Sequence, residues 1–218
     1  MSSPQTGDRV NNFLLEELIG TGSFGQVWRA RHHMFDERVA IKIPTDAQYV
    51  QNLRREGVTI HGLRHPNIVR AIDLDPYADP PYLIMELVPG DSLRQFIDAY
   101  PKGMPIDATV AVMRGVLDAL VVAHDAGVIH RDVKPANLLL AQTVAEIADL
   151  TAQSVKVADF GLGHVGGATM QSVMQSANAP KGHGPGIAGT LAYMAPEAKL
   201  GEEVDGRSDL WSLAIIMY

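Results

Sequence analysis

The 218-residue chain changes character at Pro89-Gly90, and this change restricts the folds that are open to it. Before that point, residues 12–82 form short β-prone segments separated by turn residues, with a single helical stretch at 47–63. After it, the apolar pattern becomes helical. Because strands and helices are segregated along the chain rather than alternating, the sequence predicts an α+β fold. A small β-rich lobe with one main helix is followed by a mainly helical lobe.

The β-rich part is predicted to contain five strands and one helix. The predicted strands are residues 13–19, 26–31, 38–43, 68–74 and 81–87. The helix has Tyr49, Leu53 and Ile60 on its apolar side, and Pro66 prevents its continuation because proline has no backbone N–H. The polar residues 1–10 are predicted to be a loose leader.

Two helices are predicted to follow Pro89-Gly90. The first is short and covers residues 92–100. Asp107 is predicted to cap a second, longer helix, which Gly127 ends. The apolar face of this longer helix is predicted to consist of Val110, Met113, Leu117, Leu120 and Val121.

Composition excludes several classes of function. The chain has no cysteine, so disulfide bonds and thiolate metal sites are excluded. Its formal net charge of -7 disfavours nucleic acid as a partner, since binding to phosphate backbones requires a basic excess. No apolar stretch reaches the roughly 20 residues that span a bilayer. The visible chain is therefore expected to be soluble and cytoplasmic, and a membrane anchor beyond residue 218 stays open.

A glycine-rich motif lies between the first two predicted strands. Gly20, Gly22, Gly25 and Val27 match the pattern GxGxxGxV. Taken alone, the motif fits an ordinary glycine hairpin and a phosphate-binding loop about equally well. A dinucleotide-binding domain would require a helix directly after the glycines, whereas residues 27–31 have strand character.

A lysine in the third predicted strand is a second candidate. Lys42 ends the run Val-Ala-Ile-Lys, and a lysine in an apolar strand needs an anionic partner to offset its desolvation. Phosphate oxygens would serve, and so would Glu56 on the following helix. A surface lysine and a solvated glutamate are the commoner fates of these residue types.

The strongest single motif covers residues 130–137, His-Arg-Asp-Val-Lys-Pro-Ala-Asn. Asp132 can orient a hydroxyl proton, Lys134 can offset charge on a phosphoryl group, and Asn137 offers a neutral oxygen to a hard cation. The apolar run 138–140 is predicted to be a buried strand that holds the loop rigidly. Asp159 follows another short apolar strand, where a carboxylate beside a glycine is well placed to bind Mg²⁺.

Together with Ala195-Pro196-Glu197, this ordered set resembles the catalytic domain of eukaryotic-type (Hanks-type) serine/threonine protein kinases, including bacterial members, over residues 13–218. The resemblance implies a two-lobe protein kinase fold, with a leader at 1–10, an N-lobe at 11–87 and a C-lobe at 88–218. It also implies a chain that stops within the central helix of the C-lobe, so that the C-lobe is incomplete.

The resemblance also implies roles for individual residues. The ATP-binding residues would be Ile19, Gly20, Thr21, Gly22, Ser23, Phe24, Gly25, Val27, Ala40, Lys42, Met85, Glu86, Val88 and Leu139. The catalytic set would be Asp132, Lys134, Lys42, Glu56 and Thr190. Asn137 and Asp159 would bind Mg²⁺, with Mn²⁺ as an alternative. Asp209 would hydrogen-bond the backbone of the catalytic loop, and Arg131 would pair with a phosphate added to Thr169, Ser172 or Ser176.

The implied function is ATP-dependent transfer of the γ-phosphoryl group to serine and threonine hydroxyls, with activation-loop autophosphorylation. The implied partners are ATP and protein substrates. A second hypothesis of a different class stays open, in which the chain is a catalytically silent kinase-like module that binds nucleotide or a partner. The presence of Lys42, Asp132 and Asp159 favours the first hypothesis.

Overall fold

The structure is a computed structural model, and it describes residues 4–22, 25–160 and 191–218. The chain divides into two compact units. The first consists of Met1–Arg64 and Val69–Val88, and the second of His65–Ile68 and Pro89–Tyr218.

The first unit is an antiparallel sheet of six strands with one α-helix beside it. The strands are β1 Arg9–Val10, β2 Phe13–Gly22, β3 Gly25–His32, β4 Arg38–Pro44, β5 Ala71–Asp75 and β6 Tyr82–Glu86, and the helix is α1 Val50–Gly62. The strand order is β1-β2-β3-β4-β6-β5. The strand character of β3 directly after the glycines rules out the helix that a dinucleotide-binding domain requires at this place.

Strand β4 shows how the sheet uses its two faces. Its odd-numbered residues Val39, Ile41 and Ile43 are buried in a core cluster with Trp28 and Tyr82. Its even-numbered residues lie on the opposite face, because successive side chains of a strand alternate. This alternation places the single lysine of the strand on the face that does not carry this cluster.

Two predictions for the first unit were wrong. Residues 9–10 of the predicted loose leader form β1, with Val10 buried and paired to Phe13, because the segment adds an edge strand to the sheet. The strand predicted at 68–74 begins only at Ala71. Ile68 instead makes an isolated parallel bridge to Val157, so the start of this segment belongs to the second unit.

The second unit is mainly helical within its described residues. It contains α2 Leu93–Ala99, α3 Ile106–Asp125, the two-stranded ribbon β7 Leu138–Leu140 and β8 Val155–Val157, α4 Pro196–Leu200 and α5 Gly206–Met217. Short 3₁₀ segments occur at Pro135–Asn137, Val144–Asp149 and Ala152–Ser154. Among the described residues, no helix combines the length and the apolar character needed to cross a membrane.

Local sequence signals explain the ends of α3. Pro105 is the N-cap residue and Asp107 lies in the first turn, so the prediction that Asp107 caps the helix was wrong. In the first turn, the negative charge of Asp107 interacts favourably with the helix dipole. At the other end, Gly127 has φ +73° and its N–H donates to the His124 carbonyl, while the Val128 N–H donates to the Ala123 carbonyl. This is a Schellman motif, and it confirms the predicted stop at Gly127.

The predicted apolar face of α3 was largely wrong. Of its members, Met113 and Leu120 are buried, but Val110, Leu117 and Val121 are 55%, 41% and 58% exposed. The buried residues of the helix are Ala108, Val112, Met113, Gly115, Val116, Ala119, Leu120 and Ala123. Four of these eight residues are alanine or glycine, because the face lies very close to its neighbours. A Cβ on Gly115 would collide with the Ala152 carbonyl and the Val155 side chain.

Candidate active site

A buried ion pair marks the first unit. Lys42 lies on β4 and Glu56 on α1, and their side chains are 8% and 0% exposed. The Lys42 Nζ donates to both carboxylate oxygens of Glu56, at 2.9 Å and 2.8 Å. The predicted contact between these two residues is therefore present. Charge pairing of this kind is what allows both groups to be buried.

The strand register groups further predicted residues around Lys42. Val27 lies directly opposite Lys42, and Met85 lies directly opposite Ala40. Directly opposed residues share a face of the sheet, as do residues two apart on one strand. Val27, Ala40, Lys42 and Met85 therefore line one face of the sheet, as an apolar surface that carries one ammonium group.

The structure explains the need for glycine at only one of the three glycine positions of the motif. A Cβ on Gly25 would lie 2.6 Å from the Ile43 carbonyl oxygen, so packing of the backbone requires glycine there. A Cβ on Gly20 or Gly22 would meet only ordinary contacts, at 3.7 Å and 3.9 Å. Packing therefore explains Gly25 but neither of the other two, and glycine within a strand is unfavourable relative to alanine.

The remaining residues predicted to bind nucleotide in the first unit vary in exposure. Ile19 and Thr21 are exposed and Val88 is half-buried. The Glu86 N–H donates to the Arg70 carbonyl at 3.0 Å, so this N–H is already occupied. Ser23 and Phe24 lie outside the described residues. In the second unit, Leu139 is half-buried in β7.

In the second unit, Asp209 anchors the loop of residues 130–137. The Asp209 carboxylate is 1% exposed at the start of α5. Its Oδ2 accepts from the His130 N–H at 2.9 Å, and its Oδ1 accepts from the Arg131 N–H at 2.8 Å. The Oδ2 also lies 2.8 Å from the His124 Nε2. The predicted hydrogen bonding of Asp209 to the loop backbone is confirmed.

His130 connects the loop to the segment after β8. Its Nδ1 accepts from the Asp132 N–H at 3.2 Å, which assigns the ring proton to Nε2, and Nε2 lies 2.9 Å from the Ala158 carbonyl oxygen. The ring is fully buried against Phe160, with centroids 4.5 Å apart. The imidazole is thus a structural link that fixes the loop.

The loop brings together the three polar side chains that the motif predicted. The Lys134 Nζ donates to the Asp132 Oδ2 at 2.7 Å. The Asn137 Nδ2 donates to the same oxygen at 3.1 Å and to the Asp132 carbonyl at 2.8 Å. These contacts orient the Asp132 carboxylate. Arg131 has φ +66°, a left-handed conformation that is strained for a side chain of this size and that the Asp209 contact holds in place.

The β7–β8 ribbon sets the spacing of the two predicted metal ligands. Leu138 pairs with Val157, and the Ala158 N–H donates to the Asn137 carbonyl at 2.9 Å. Asn137 and Asp159 therefore lie at the same end of the ribbon. Their amide and carboxylate oxygens are ligands that Mg²⁺ accepts. Within the described ranges, no cluster of three or more His, Cys, Asp or Glu residues suits a metal ion.

Glu197 hydrogen-bonds within the second unit. The Ser208 hydroxyl donates to the Glu197 carboxylate, and this bond holds the pKa of Glu197 below its usual range. Ser208 lies on α5, one residue before Asp209. Thr190, Thr169, Ser172 and Ser176 lie outside the described residues.

The family model of the protein kinase domain matches residues 13–218. The chain belongs to the protein kinase domain family. The kinase domain is 36% identical over 222 residues to the serine/threonine-protein kinase Pkn1 of Myxococcus xanthus, and this match covers 99% of the chain. It is 33% identical over 228 residues to the serine/threonine-protein kinase PknB of Mycolicibacterium smegmatis, which covers 100% of the chain.

A solved structure shows the same fold. The PknI kinase domain of Mycobacterium tuberculosis matches with a TM-score of 0.67 and 25% sequence identity, covering 99% of this chain and 74% of that one. The chain spans 29% of the length of Pkn1 and 33% of the length of PknB. The predicted family and the predicted two-lobe kinase fold are thus confirmed.

Sequence reasoning missed two polar anchors of the kinase domain. One is His124, which contacts the Asp209 carboxylate. The available signal for this residue was its position in the last turn of the helix that precedes the loop. The other is Asn67, whose Nδ2 donates to the carbonyls of Ala152 and Val155. A buried asparagine beside a proline has no pattern that reveals partners 85 and 88 residues away.

Proposed function

We propose that this kinase domain catalyses the transfer of the γ-phosphoryl group of ATP to serine and threonine hydroxyls of proteins. The observation that carries the proposal is the Asp132 carboxylate, which contacts Lys134 and Asn137 in a loop anchored by buried Asp209. Phosphoryl transfer depends mainly on positioning and charge stabilisation, and a fixed carboxylate beside an ammonium group meets both needs.

Each polar residue has a separate task in the proposed reaction. The Asp132 carboxylate orients the substrate hydroxyl and accepts its proton. The Lys134 ammonium offsets the negative charge on the transferring group, and the Lys42 ammonium, held by Glu56, binds phosphate oxygens in the ground state. Gly20 and Gly22 also support the proposal. Packing does not require glycine at either position, and glycine allows phosphate groups to approach the backbone closely.

The divalent cation fits the same proposal. Asn137 and Asp159 would hold Mg²⁺, since both offer oxygen ligands at one end of the ribbon. When bound, the ion neutralises phosphate charge. The protein residues themselves orient the hydroxyl and hold its proton.

The first experiment measures transfer from labelled ATP with Mg²⁺ to the chain itself and to a basic protein. Lys42→Met should abolish incorporation, whereas Lys102→Met, which removes an exposed lysine, should leave it unchanged. Asp132→Asn should lower the rate by about 10²–10⁴-fold while binding of a fluorescent ATP analogue persists. Equal incorporation in Lys42→Met and the unaltered chain would refute the proposal.

We also propose autophosphorylation on Thr169, Ser172 or Ser176. Support comes from Arg131, because an arginine next to the catalytic aspartate can pair with an added phosphate. Mass spectrometry after incubation with ATP should find phosphate within residues 161–190 of the active chain and none in Asp132→Asn. Phosphate confined to other residues would contradict this part of the proposal.

A further inference from the structure

A small cavity in the first unit lies away from the ion pair and the glycine motif. It has a volume of about 230 Å³ and is formed by the end of α1, the residues after it and the start of β5. Small-molecule pockets usually have about 300–1,000 Å³, so this cavity is too small for a nucleotide. Its size suits one or two side chains of a partner protein.

The lining of the cavity combines an apolar floor with a cationic rim. Ile60 and Leu63 are buried and form the floor. Arg64, Arg70 and His61 are exposed around it, and no Asp or Glu is among the described residues that line it. Within the described part of the chain, the Arg64 and Arg70 side chains make no hydrogen bond or ion pair. The Glu86 carboxylate contacts the backbone of Arg70, since its Oε1 accepts from the Arg70 N–H at 2.7 Å.

A β-bulge turns an additional apolar side chain toward the cavity. The register between β5 and β6 shifts between Ala71 and Asp73, so Ile72 is an extra residue without a directly opposed partner. Ile72 lines the cavity and is 40% exposed. Bulges commonly redirect a side chain, and here the redirected side chain extends the apolar wall.

We infer that this cavity is a docking site for an acidic protein segment that anchors an apolar side chain. An aliphatic or aromatic side chain would fill the space between Ile60, Leu63 and Ile72. Carboxylates on either side of the anchor would pair with Arg64 and Arg70. Although the chain carries a formal net charge of -7, the charged side chains around this cavity are cationic, and this favours an acidic partner.

The test measures fluorescence anisotropy of labelled eight-residue peptides titrated with the 218-residue chain. The peptide EEEFLEEE should bind, whereas EEEAAEEE without the anchor and KKKFLKKK with reversed charge should bind at least about tenfold more weakly. The double variant Arg64→Glu/Arg70→Glu should weaken EEEFLEEE about tenfold or more. Ile72→Ala should weaken EEEFLEEE but leave EEEAAEEE unchanged.

The matched control is Arg54→Glu, which reverses an exposed charge on α1 that does not line the cavity. This variant should bind EEEFLEEE within about twofold of the unaltered chain, and unchanged thermal unfolding of all variants would show that the fold is intact. Equal binding by the double variant and the control would overturn the inference. So would equal binding of EEEAAEEE, or arginine-dependent binding to phosphatidylserine vesicles in a chain that does not bind EEEFLEEE.

Discussion

Removal of the Asp209 carboxylate is the perturbation with the most direct structural consequence. In Asp209→Ala, the backbone N–H groups of His130 and Arg131 lose their acceptor in a place that is almost fully buried. Each unsatisfied buried donor costs about 1–3 kcal/mol, so the two together should lower the free energy of unfolding by about 2–6 kcal/mol. A typical domain has a free energy of unfolding of about 5–15 kcal/mol, so this variant should be only marginally folded.

Asp209→Asn tests the same reasoning with the fold preserved. The amide keeps one oxygen, but its NH₂ group must face the backbone N–H of either His130 or Arg131, because these two donors lie on different carboxylate oxygens. The expected loss is about 1–3 kcal/mol. Urea unfolding followed by circular dichroism measures it, with Asp125→Asn, an exposed carboxylate on α3, as the control. An unfolding midpoint equal to that of the control would refute the anchoring role of Asp209. The proposed transfer activity of Asp209→Asn should fall together with its free energy of unfolding.

Four further outcomes are expected. Gly25→Ala should lower stability by about 1–3 kcal/mol, because the added methyl group meets backbone, and thermal unfolding will detect this. Gly22→Ala should leave the unfolding temperature unchanged or raised, but it should raise KM for ATP; an unchanged KM would show that this glycine has no nucleotide role. Glu56→Ala should destabilise the first unit by about 3–5 kcal/mol, since it leaves a buried lysine without its carboxylate, and urea unfolding measures this loss. Ser208→Ala should raise the pKa of Glu197 in an NMR titration, because the bond that lowers it is lost. The stability that this bond adds in the unaltered chain should be present at neutral pH, and it should disappear as pH falls through the lowered pKa.

The sequence predicted the parts of the molecule that local chemistry determines. Strands β3 and β4 follow from β-prone segments between turn residues, and β6 follows from a short apolar run. Helix α2 begins after Ser92, whose capping box with Gln95 is local. The contact of Lys42 with Glu56 could be predicted because a buried ammonium group must have an anionic partner. The family resemblance rests on short motifs, and these predicted the loop that holds Asp132.

The errors concern features that only distant packing determines. The buried face of α3 includes Ala119 and Gly115, because the helix lies against the backbone near Ala152, whereas reasoning from large apolar side chains selected Val110 and Val121. Strand β1 was not predicted because the residues around Val10 are mainly polar, and they gave no indication that the Val10 side chain is buried in the core. The contact of His124 with the Asp209 carboxylate joins positions 85 residues apart, and the position of His124 in the last turn of α3 does not by itself identify this partner.

A single cut in the chain cannot separate the two units, because His65–Ile68 belong to the second unit but lie in sequence between the two segments of the first. The chain passes from one unit to the other after Arg64, Ile68 and Val88, so neither unit is one continuous piece of sequence. A gene fragment that starts at Pro89 would lose the Asn67 carbonyl that accepts from the Val157 N–H and the Pro66 carbonyl that accepts from Lys156. Protease nicking near residue 88 should therefore yield two fragments that stay associated and co-elute on a sizing column, and separate expression of either half should give poorly folded protein.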